Sequence, residues 1–269
     1  MTLHFRNPPL LELVADLRWD VPSSPQPLAA IGPLGTVPVQ VALNAQEPLL
    51  DEFRAACQEL GFTYVERLVP VGMPLMPGQH LFRFRRTTDN LIVQAGPGVV
   101  SVHALPPYES WAGFSPEVKK VVAALTTVLR GYNNEFFREV SVRYLDAFGR
   151  RFLGEASPSD FAQQTLGFKL HLPGSVEDER DASSATQLAF TYSFSTRDAL
   201  AVTIALSEGL INNEVSLIWD TAVRSGSAVA SESEKVMEVF ARAHDVIHAI
   251  FVDSTQSIRE LMEPEGQDD

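Results

Sequence analysis

Two histidines four residues apart, late in the chain, carry the most specific chemical pattern in the sequence. His244 and His248 stand in the segment HDVIH, within a stretch that has the apolar spacing of a helix. Histidines at this spacing share one helical face and can hold zinc, with Asp245 in the place where a zinc protease carries its glutamate base. The alternative interpretation is that both histidines are partly buried, hydrogen-bonded side chains beside an apolar stripe, since no third ligand is evident.

A second candidate site consists of five charged residues on two predicted strands. They are Glu12, Asp16, Arg18, Glu139 and Arg143. Glu12 and Asp16 lie on one face of a strand, and paired carboxylates can divide acid and base roles. When the two strands are set side by side, Glu12 faces Arg143, which predicts a cross-strand ion pair. The alternative is that the five residues form a structural charge network or a solvated sheet face.

The remaining signals for a site are weaker. The segment 96–98, GPG, has the glycines of a phosphate loop but lacks the lysine and the following helix, so it predicts a hairpin turn. Arginines are concentrated only in 83–86 and 150–151, where we expect solvated edge-strand charges, with an anion or partner contact as the alternative. The sequence contains no nucleophile elbow, dinucleotide fingerprint or cysteine-ligated zinc pattern.

Two strands with different faces must position these residues. In 135–148, EFFREVSVRYLDAF, Val140, Val142 and Tyr144 alternate with polar residues, as in a strand packed on one side. The segment 11–19, LELVADLRW, repeats this alternation. We therefore predict that the two segments are equivalent strands that meet at the middle of the protein.

The rest of the chain has the same order of elements twice. A helix over 47–60 and short strands between 62 and 104 precede a long helix that Ser115 caps. After the second central strand come a short helix opened by Ser157 and Pro158, strands between 168 and 221, and a last long helix after a capping box at Ser231 and Glu234.

The predicted fold class is therefore α+β and pseudo-duplicated. Each half reads strand, helix, antiparallel meander and long helix, over 1–133 and 134–262, and we expect the halves to pack as one unit. The acidic tail 263–269 is predicted to be disordered.

Composition and charge limit the functions to consider. The 269 residues are 45% hydrophobic and 20% charged, which is typical of a globular protein. A net charge of −13 argues against nucleic acid or an anionic membrane as the main partner. No apolar run reaches the ~20 residues that span a bilayer, and no signal peptide is evident. With Cys57 as the single cysteine, we expect a cytoplasmic protein without disulfides.

Three short motifs, taken in order, resemble a known group of proteins. They are FRNPPLLEL near the start, VRYLDAF in the middle and AHDVIHAIF in the last helix. Together they are similar to a sporadically distributed family of uncharacterised bacterial proteins of about this length. The resemblance implies a bacterial source and, by analogy, a mobile or defence-associated gene, but no activity. Asp146 stands where the family pattern leads us to expect Asn.

From the sequence we predict a binding or regulatory protein that acts on a protein partner or small ligand without a cofactor, and an oligomer is possible. The alternative is a hydrolase that uses a metal on His244 and His248 or the carboxylates Glu12 and Asp16. A convergent pocket with a third metal ligand would favour the enzyme, and without them the binding protein is favoured.

Overall fold

A large antiparallel sheet with helices forms the protein, which confirms the predicted mixture of α and β elements. The computed structural model describes residues 5–21, 28–30, 37–39, 46–71, 73, 75–108, 110–169, 173–179 and 188–264. None of the helices in these ranges is long and apolar enough to cross a membrane.

The strands and helices have the following bounds. The strands are β1 (Leu10–Arg18), β2 (Leu28–Ala30), β3 (Val37–Val39), β4 (Tyr64–Arg67), β5 (Phe82–Arg85), β6 (Leu91–Gly96), β7 (Val99–Ala104), β8 (Phe136–Phe137), β9 (Glu139–Phe148), β10 (Ala189–Ser195), β11 (Ala201–Ile211), β12 (Glu214–Arg224) and β13 (Val229–Ala230). The helices are α1 (Glu47–Glu59), α2 (Trp111–Gly131), α3 (Arg150–Leu153), α4 (Pro158–Asp160), α5 (Gly174–Glu179) and α6 (Ser233–Ser254). A π-helical turn, Phe161–Thr165, follows α4, and a 3₁₀ helix, Gln256–Met262, follows α6.

Nine of the described strands form one sheet, in the order β10-β11-β12-β9-β1-β7-β6-β5-β4. The strand pairs β10–β11, β4–β5, β5–β6 and β6–β7 are antiparallel, and the β6–β7 hairpin turns at Pro97 and Gly98. Gly98 has φ 74°, a backbone conformation that glycine adopts without strain. The predicted turn at 96–98 is thus confirmed. Separate two-stranded ladders join β13 with β8 and β2 with β3.

The two central strands have the predicted two-faced pattern. On β1, Leu13, Ala15 and Leu17 are fully buried while the residues between them are half-buried. On β9, Val140 and Val142 are fully buried and Arg143 is exposed. Successive side chains of a strand point to opposite faces, so the sequence alternation alone separates a core face from a polar face.

Two of the predicted helix starts relied on a Ser-Pro pair, and one of these is wrong. The helix α2 begins at Trp111, where the Ser110 hydroxyl accepts a hydrogen bond from Gly113 N, so Pro116 lies inside the helix. The expected start at Ser115 had relied on the preference of proline for a first turn. At Ser157 the prediction is confirmed, because its hydroxyl accepts from Asp160 N at 3.1 Å and caps α4.

Several predicted segments fall partly outside the described residues. The strand predicted at 168–172 is not formed at 168–169, and 170–172 lie outside the described ranges. Of the tail predicted as disordered over 263–269, Pro264 forms a β-bridge with Phe5, while 265–269 lie outside the described residues.

The chain forms two compact units, each built from both halves of the sequence. The first contains the described residues of Met1–Leu13, Arg143–Val223 and His244–Asp269. The second contains those of Val14–Val142 and Arg224–Ala243. The strands β1, β9 and β12 and the helix α6 therefore contribute residues to both units.

Each unit has an aromatic core of its own. In the first unit the Trp219 ring lies within 6.2 Å of the ring centroids of Phe148, Phe168 and Phe251. In the second unit Phe53 of α1 meets Phe84 of β5 edge to face at 6.2 Å. Such rings bury large apolar areas and account for much of the packing energy of a core.

Candidate functional site: a polar network and an exposed edge strand

Asp16 of β1 is the centre of a hydrogen-bonded polar network in the second unit. Its Oδ1 accepts from Ser101 Oγ at 2.5 Å, and its Oδ2 accepts from Arg18 Nε at 2.7 Å. Ser101 lies on β7 and is 1% exposed. Its Oγ also lies 2.8 Å from Nε2 of His80, which precedes β5.

A close backbone approach places His80 in this network. The loop before β5 crosses the β6–β7 hairpin, where Gly78 N donates to Pro97 O at 2.8 Å and Leu81 N donates to Ala95 O at 2.8 Å. A Cβ atom at Gly96 would overlap the Gln79 carbonyl, so only glycine permits the crossing. Neither Ser101 nor His80 was predicted as a site residue, because this loop crossing leaves no periodic signal in the sequence.

Charged side chains extend the network across neighbouring strands. Arg18 Nε lies 3.8 Å from Glu139 Oε1, and Glu139 Oε2 lies 3.9 Å from Arg224 Nη1. Three of the five predicted residues, Asp16, Arg18 and Glu139, are therefore close together. The Arg18 and Glu139 side chains are about one-third exposed, so each of these longer ion pairs adds little stability.

The network contains the residue types of a serine protease triad in an arrangement that does not activate a nucleophile. In such a triad the histidine stands between serine and aspartate. Here Ser101 stands between Asp16 and His80, and its single hydroxyl proton is donated to the carboxylate. His80 Nε2 must then donate to Ser101 Oγ, so the imidazole takes no proton from the serine.

Burial favours the same assignment for His80. It lowers the pKa of the imidazole below its usual value, while the Asp16 charge acts in the opposite direction. A neutral ring with its proton on Nε2 is the form that donates to Ser101. The network thus holds β1, β7 and the loop before β5 together.

Arg143 and Glu12, the other two predicted residues, lie in the first unit. Arg143 forms a bidentate ion pair with Asp220 of β12. Its Nε lies 2.8 Å from Asp220 Oδ1 and its Nη2 lies 2.6 Å from Oδ2. Glu12 is half-buried on β1. Asp220 is a partner that the sequence analysis did not consider, because it lies 77 residues away on a strand whose position in the sheet was unknown.

His244 and His248 lie on α6 in the first unit. His244 is 6% exposed, and its Nδ1 lies 2.8 Å from the Tyr144 hydroxyl on β9. The two imidazole centroids are 5.6 Å apart. Within the described ranges, no three His, Cys, Asp or Glu side chains are grouped so that they could hold a metal ion. The contact with Tyr144 is the kind of bond expected from a buried, hydrogen-bonded histidine.

The arginine clusters have mainly acidic and backbone partners. Arg83 Nη1 lies 3.1 Å from Glu66, and Arg86 lies within 2.9 Å of Glu117 and Asp89. Arg151 Nη2 donates to the Asn7 carbonyl at 2.6 Å. Arg83 lies on β5, one strand in from the edge, so it is not the edge charge that we expected.

A buried carboxyl group on β9 was noticed in the sequence only as a departure from the family pattern. Asp146 is 4% exposed. Burial, and to a lesser degree the Asp220 charge, raises the pKa of its carboxyl to about 8. Asp146 is therefore mostly protonated at neutral pH, and an Asn at this position would carry similar polar groups without titrating.

The edge strand β10, in the first unit, is a candidate binding site that lies apart from the polar network. Its sequence, AFTYSFS, carries no charge, and Phe190, Tyr192 and Phe194 lie on one face. The Tyr192 ring lies 6.4 Å from that of Phe190 and 5.6 Å from that of Phe194. Tyr192 is 53% exposed and Phe194 is 37% exposed. The alternation was visible in the sequence, but the position of the strand at a sheet edge was not.

Comparison of the chain with protein-family models, curated proteins and solved structures finds no match. The resemblance inferred from three short motifs therefore stays a prediction, and the function must be argued from the geometry.

The serine at the centre of the network gives the first prediction. Replacing Ser101 with Ala leaves Asp16 Oδ1 and His80 Nε2 without this buried partner, which should cost about 1–3 kcal/mol of unfolding free energy. Ser193→Ala is the matched control, because Ser193 is exposed and should change stability by less than about 0.5 kcal/mol. Urea unfolding measures both, and equal effects would refute the structural role of Ser101.

For the Arg143–Asp220 pair we expect a small effect on stability. The Arg143 side chain is 49% exposed, so Arg143→Ala should lower the unfolding free energy by less than about 1 kcal/mol. Arg150→Ala, at a 79% exposed side chain, provides the control for loss of a surface charge. A loss of several kcal/mol in urea unfolding of the Arg143 variant alone would mean that the pair behaves as a buried one.

From the raised pKa of Asp146 we predict that the free energy of unfolding depends on pH. Its folded pKa of about 8 exceeds the unfolded value of about 3.9, so between these values folding takes up a proton. The contribution of this group is favourable at low pH and weakens as the pH rises, by up to about 1.4 kcal/mol per pH unit. Asp146→Asn removes this loss and should be more stable than the parent chain at pH 8, with a smaller difference near pH 4.

The test of Asp146 is urea unfolding of parent and variant at several pH values, since the difference cancels the titration of all other groups. Asp245→Asn, at an exposed position, makes the same change in net charge and is the control. A stability difference for Asp146→Asn that is constant from pH 4 to pH 8 would contradict the assignment.

Proposed function

We propose that this chain is a binding protein that docks an extended segment of a protein partner along the outer side of β10, and that it acts through this contact rather than through catalysis. The observation that carries the proposal is a seven-residue, uncharged strand with exposed aromatic side chains at the edge of the described sheet. Strand addition to such an edge is a common mode of peptide recognition.

The hydrogen bonds of β10 show which of its backbone groups face away from β11. Thr196 N donates to Leu200 O at 2.8 Å, and Glu208 N donates to Leu188 O at 3.1 Å. In an antiparallel ladder with this register, the even-numbered residues of β10 bond to β11. The N–H and C=O groups of Thr191 and Ser193 therefore point away from β11, toward a strand that could be added.

The side chains supply a second element of recognition. Phe190, Tyr192 and Phe194 are paired with Leu206, Ile204 and Val202 of β11, all of which are buried. The aromatic row therefore continues the apolar face of β11 to the edge of the sheet. An added strand would extend this face and cover part of the exposed rings, which favours binding.

The opposite edge of the sheet has the features that discourage strand addition. The strand β4 has only four residues, and Glu66 and Arg67 are two of them. Glu66 forms an ion pair with Arg83 at 3.1 Å, and Arg67 forms one with Glu47 at 3.3 Å. Short, charged edge strands resist pairing with other chains, and β10 has neither property. The contrast supports a binding role for β10.

The polar network supports binding over catalysis as well. The Ser101 proton is donated to Asp16, and the half-buried His80 ring donates to Ser101, so neither group is poised to act on a substrate. Removal of these bonds would disturb the strands that carry them. The hydrolase alternative has no comparable geometric support among the described residues.

We also propose a pseudo-duplicated fold and a bacterial, cytoplasmic setting for the protein. A strand, a helix, a meander and a long helix follow one another in 10–131, and a similar order recurs in 139–254, which supports a pseudo-duplicated fold. Cys57 is buried and free, as is usual in a reducing cytoplasm. We infer a bacterial accessory protein, and the motif resemblance adds a mobile or defence-associated gene cluster as its setting.

A capped peptide of alternating threonine and tyrosine, flanked by lysines, is a suitable probe for strand addition. At low micromolar chain concentration we expect it to bind and to slow hydrogen exchange at the Thr191 and Ser193 amides. Fluorescence anisotropy measures binding, and exchange read by NMR locates it.

The matched controls are Thr191→Pro and Thr191→Val. Proline removes one outward N–H and is tolerated on an edge strand, whereas valine keeps the N–H and the strand preference. The proline variant should lose peptide binding and the valine variant should keep it. Equal binding to both variants, or Thr191 amides already protected in the free monomer, would overturn the proposal.

A further inference from the structure

We infer that the segment docked on β10 is the β10 strand of a second copy of this chain, in a two-fold antiparallel pair centred on Tyr192. The inference rests on the proposed function and names its partner. Tyr192 is the middle residue of Ala189–Ser195, so a pair centred there uses the whole strand in both copies.

The backbone geometry fits this register. The outward N–H and C=O groups belong to the odd-numbered residues, as the bonds to β11 require. A two-fold axis at Tyr192 sets Thr191 opposite Ser193 of the second copy and Ala189 opposite Ser195. Each of these pairs joins two outward-facing residues, so every outward group in the strand gains a partner.

In this register the β10 side chains of one copy complement those of the second copy. Tyr192 meets Tyr192 of the second copy at a non-hydrogen-bonded position, where side chains approach most closely. Phe190 meets Phe194 of the second copy. Aromatic pairs across strands are favourable, and the exposed rings of Tyr192 and Phe194 would be covered.

The absence of charged side chains on β10 favours a second copy over a basic partner. The net charge is −13, but β10 itself carries no carboxylate that could attract a cationic segment. The seven residues of the strand therefore place no carboxylate of their own against the strand of a second acidic chain. Because long-range repulsion remains, added salt should strengthen the pair by screening it, whereas salt would weaken binding of a basic partner.

The length of the strand limits the strength of the pair. Seven residues span about 23 Å at about 3.3 Å per residue. A contact of this length is smaller than a standard permanent interface. We therefore expect a dimer in the micromolar range that dissociates on dilution.

A disulfide test fixes the register. The non-hydrogen-bonded position brings two Cα atoms to about 4.5 Å, within the range that a disulfide bridges. Tyr192→Cys should therefore form a covalent dimer under mild oxidation. Phe194→Cys is the matched control, because its two copies would lie about 13 Å apart along the strands. Cys57 does not interfere, since it is fully buried and burial raises the pKa of its thiol to about 12.

Sedimentation of the full chain over a range of concentrations tests the pair without cross-linking. The parent chain and Thr191→Val should dimerise, more strongly at higher salt, and Thr191→Pro should stay monomeric. Circular dichroism shows whether each variant is folded. If Thr191→Val does not fold, Thr191→Ser serves as the control in its place.

The outcomes separate this inference from the proposed function. A parent chain that stays monomeric at high concentration and salt but binds the threonine–tyrosine peptide overturns self-pairing and leaves strand addition standing. A chain that neither dimerises nor binds the peptide overturns both. Cross-linking of Phe194→Cys in preference to Tyr192→Cys overturns the register.

Discussion

The alternation of apolar and polar side chains on the central strands is the constraint on which the other features depend. Leu13 and Leu17 of β1 and Val142 of β9 are fully buried, and their neighbours in sequence must then point to the opposite face. A shift of register by one residue would bury charges such as Asp16 and expose the core residues. The polar network and the ion pairs are therefore consequences of how the strands bury their other face.

Polar groups on that opposite face are half-buried and need partners. Asp16 lies between an arginine and a buried serine, and the serine in turn contacts a histidine from a loop that crosses at Gly96. Buried polar groups without partners cost more than hydrogen bonds contribute, so such a chain of bonds specifies one arrangement of strands and loop. Residue types that suggest catalysis are here explained by satisfaction of hydrogen bonds.

The features that could be predicted from the sequence are those with a local signal. Strand alternation, the cap at Ser157 and the hairpin at Gly98 each depend on residues close in sequence, and all three are confirmed. Partners distant in sequence could not be found in this way. Arg143 meets Asp220 on β12, and Ser101 meets His80 where a loop crosses a hairpin, because sheet order and loop path decide which side chains meet. The burial of Asp146 likewise depends on the elements that cover β9.

The position of β10 shows why sheet order also decides the functional interpretation. The same seven residues inside a sheet would be an ordinary buried strand, since uncharged alternation of aromatic and small residues suits a core. At an edge, the same sequence leaves outward amides and exposed rings, which most proteins protect with charge, proline or short length. The opposite edge of this sheet has two of these protections. An unprotected edge at one end of the sheet and a protected edge at the other is the arrangement that the proposed contact along β10 requires.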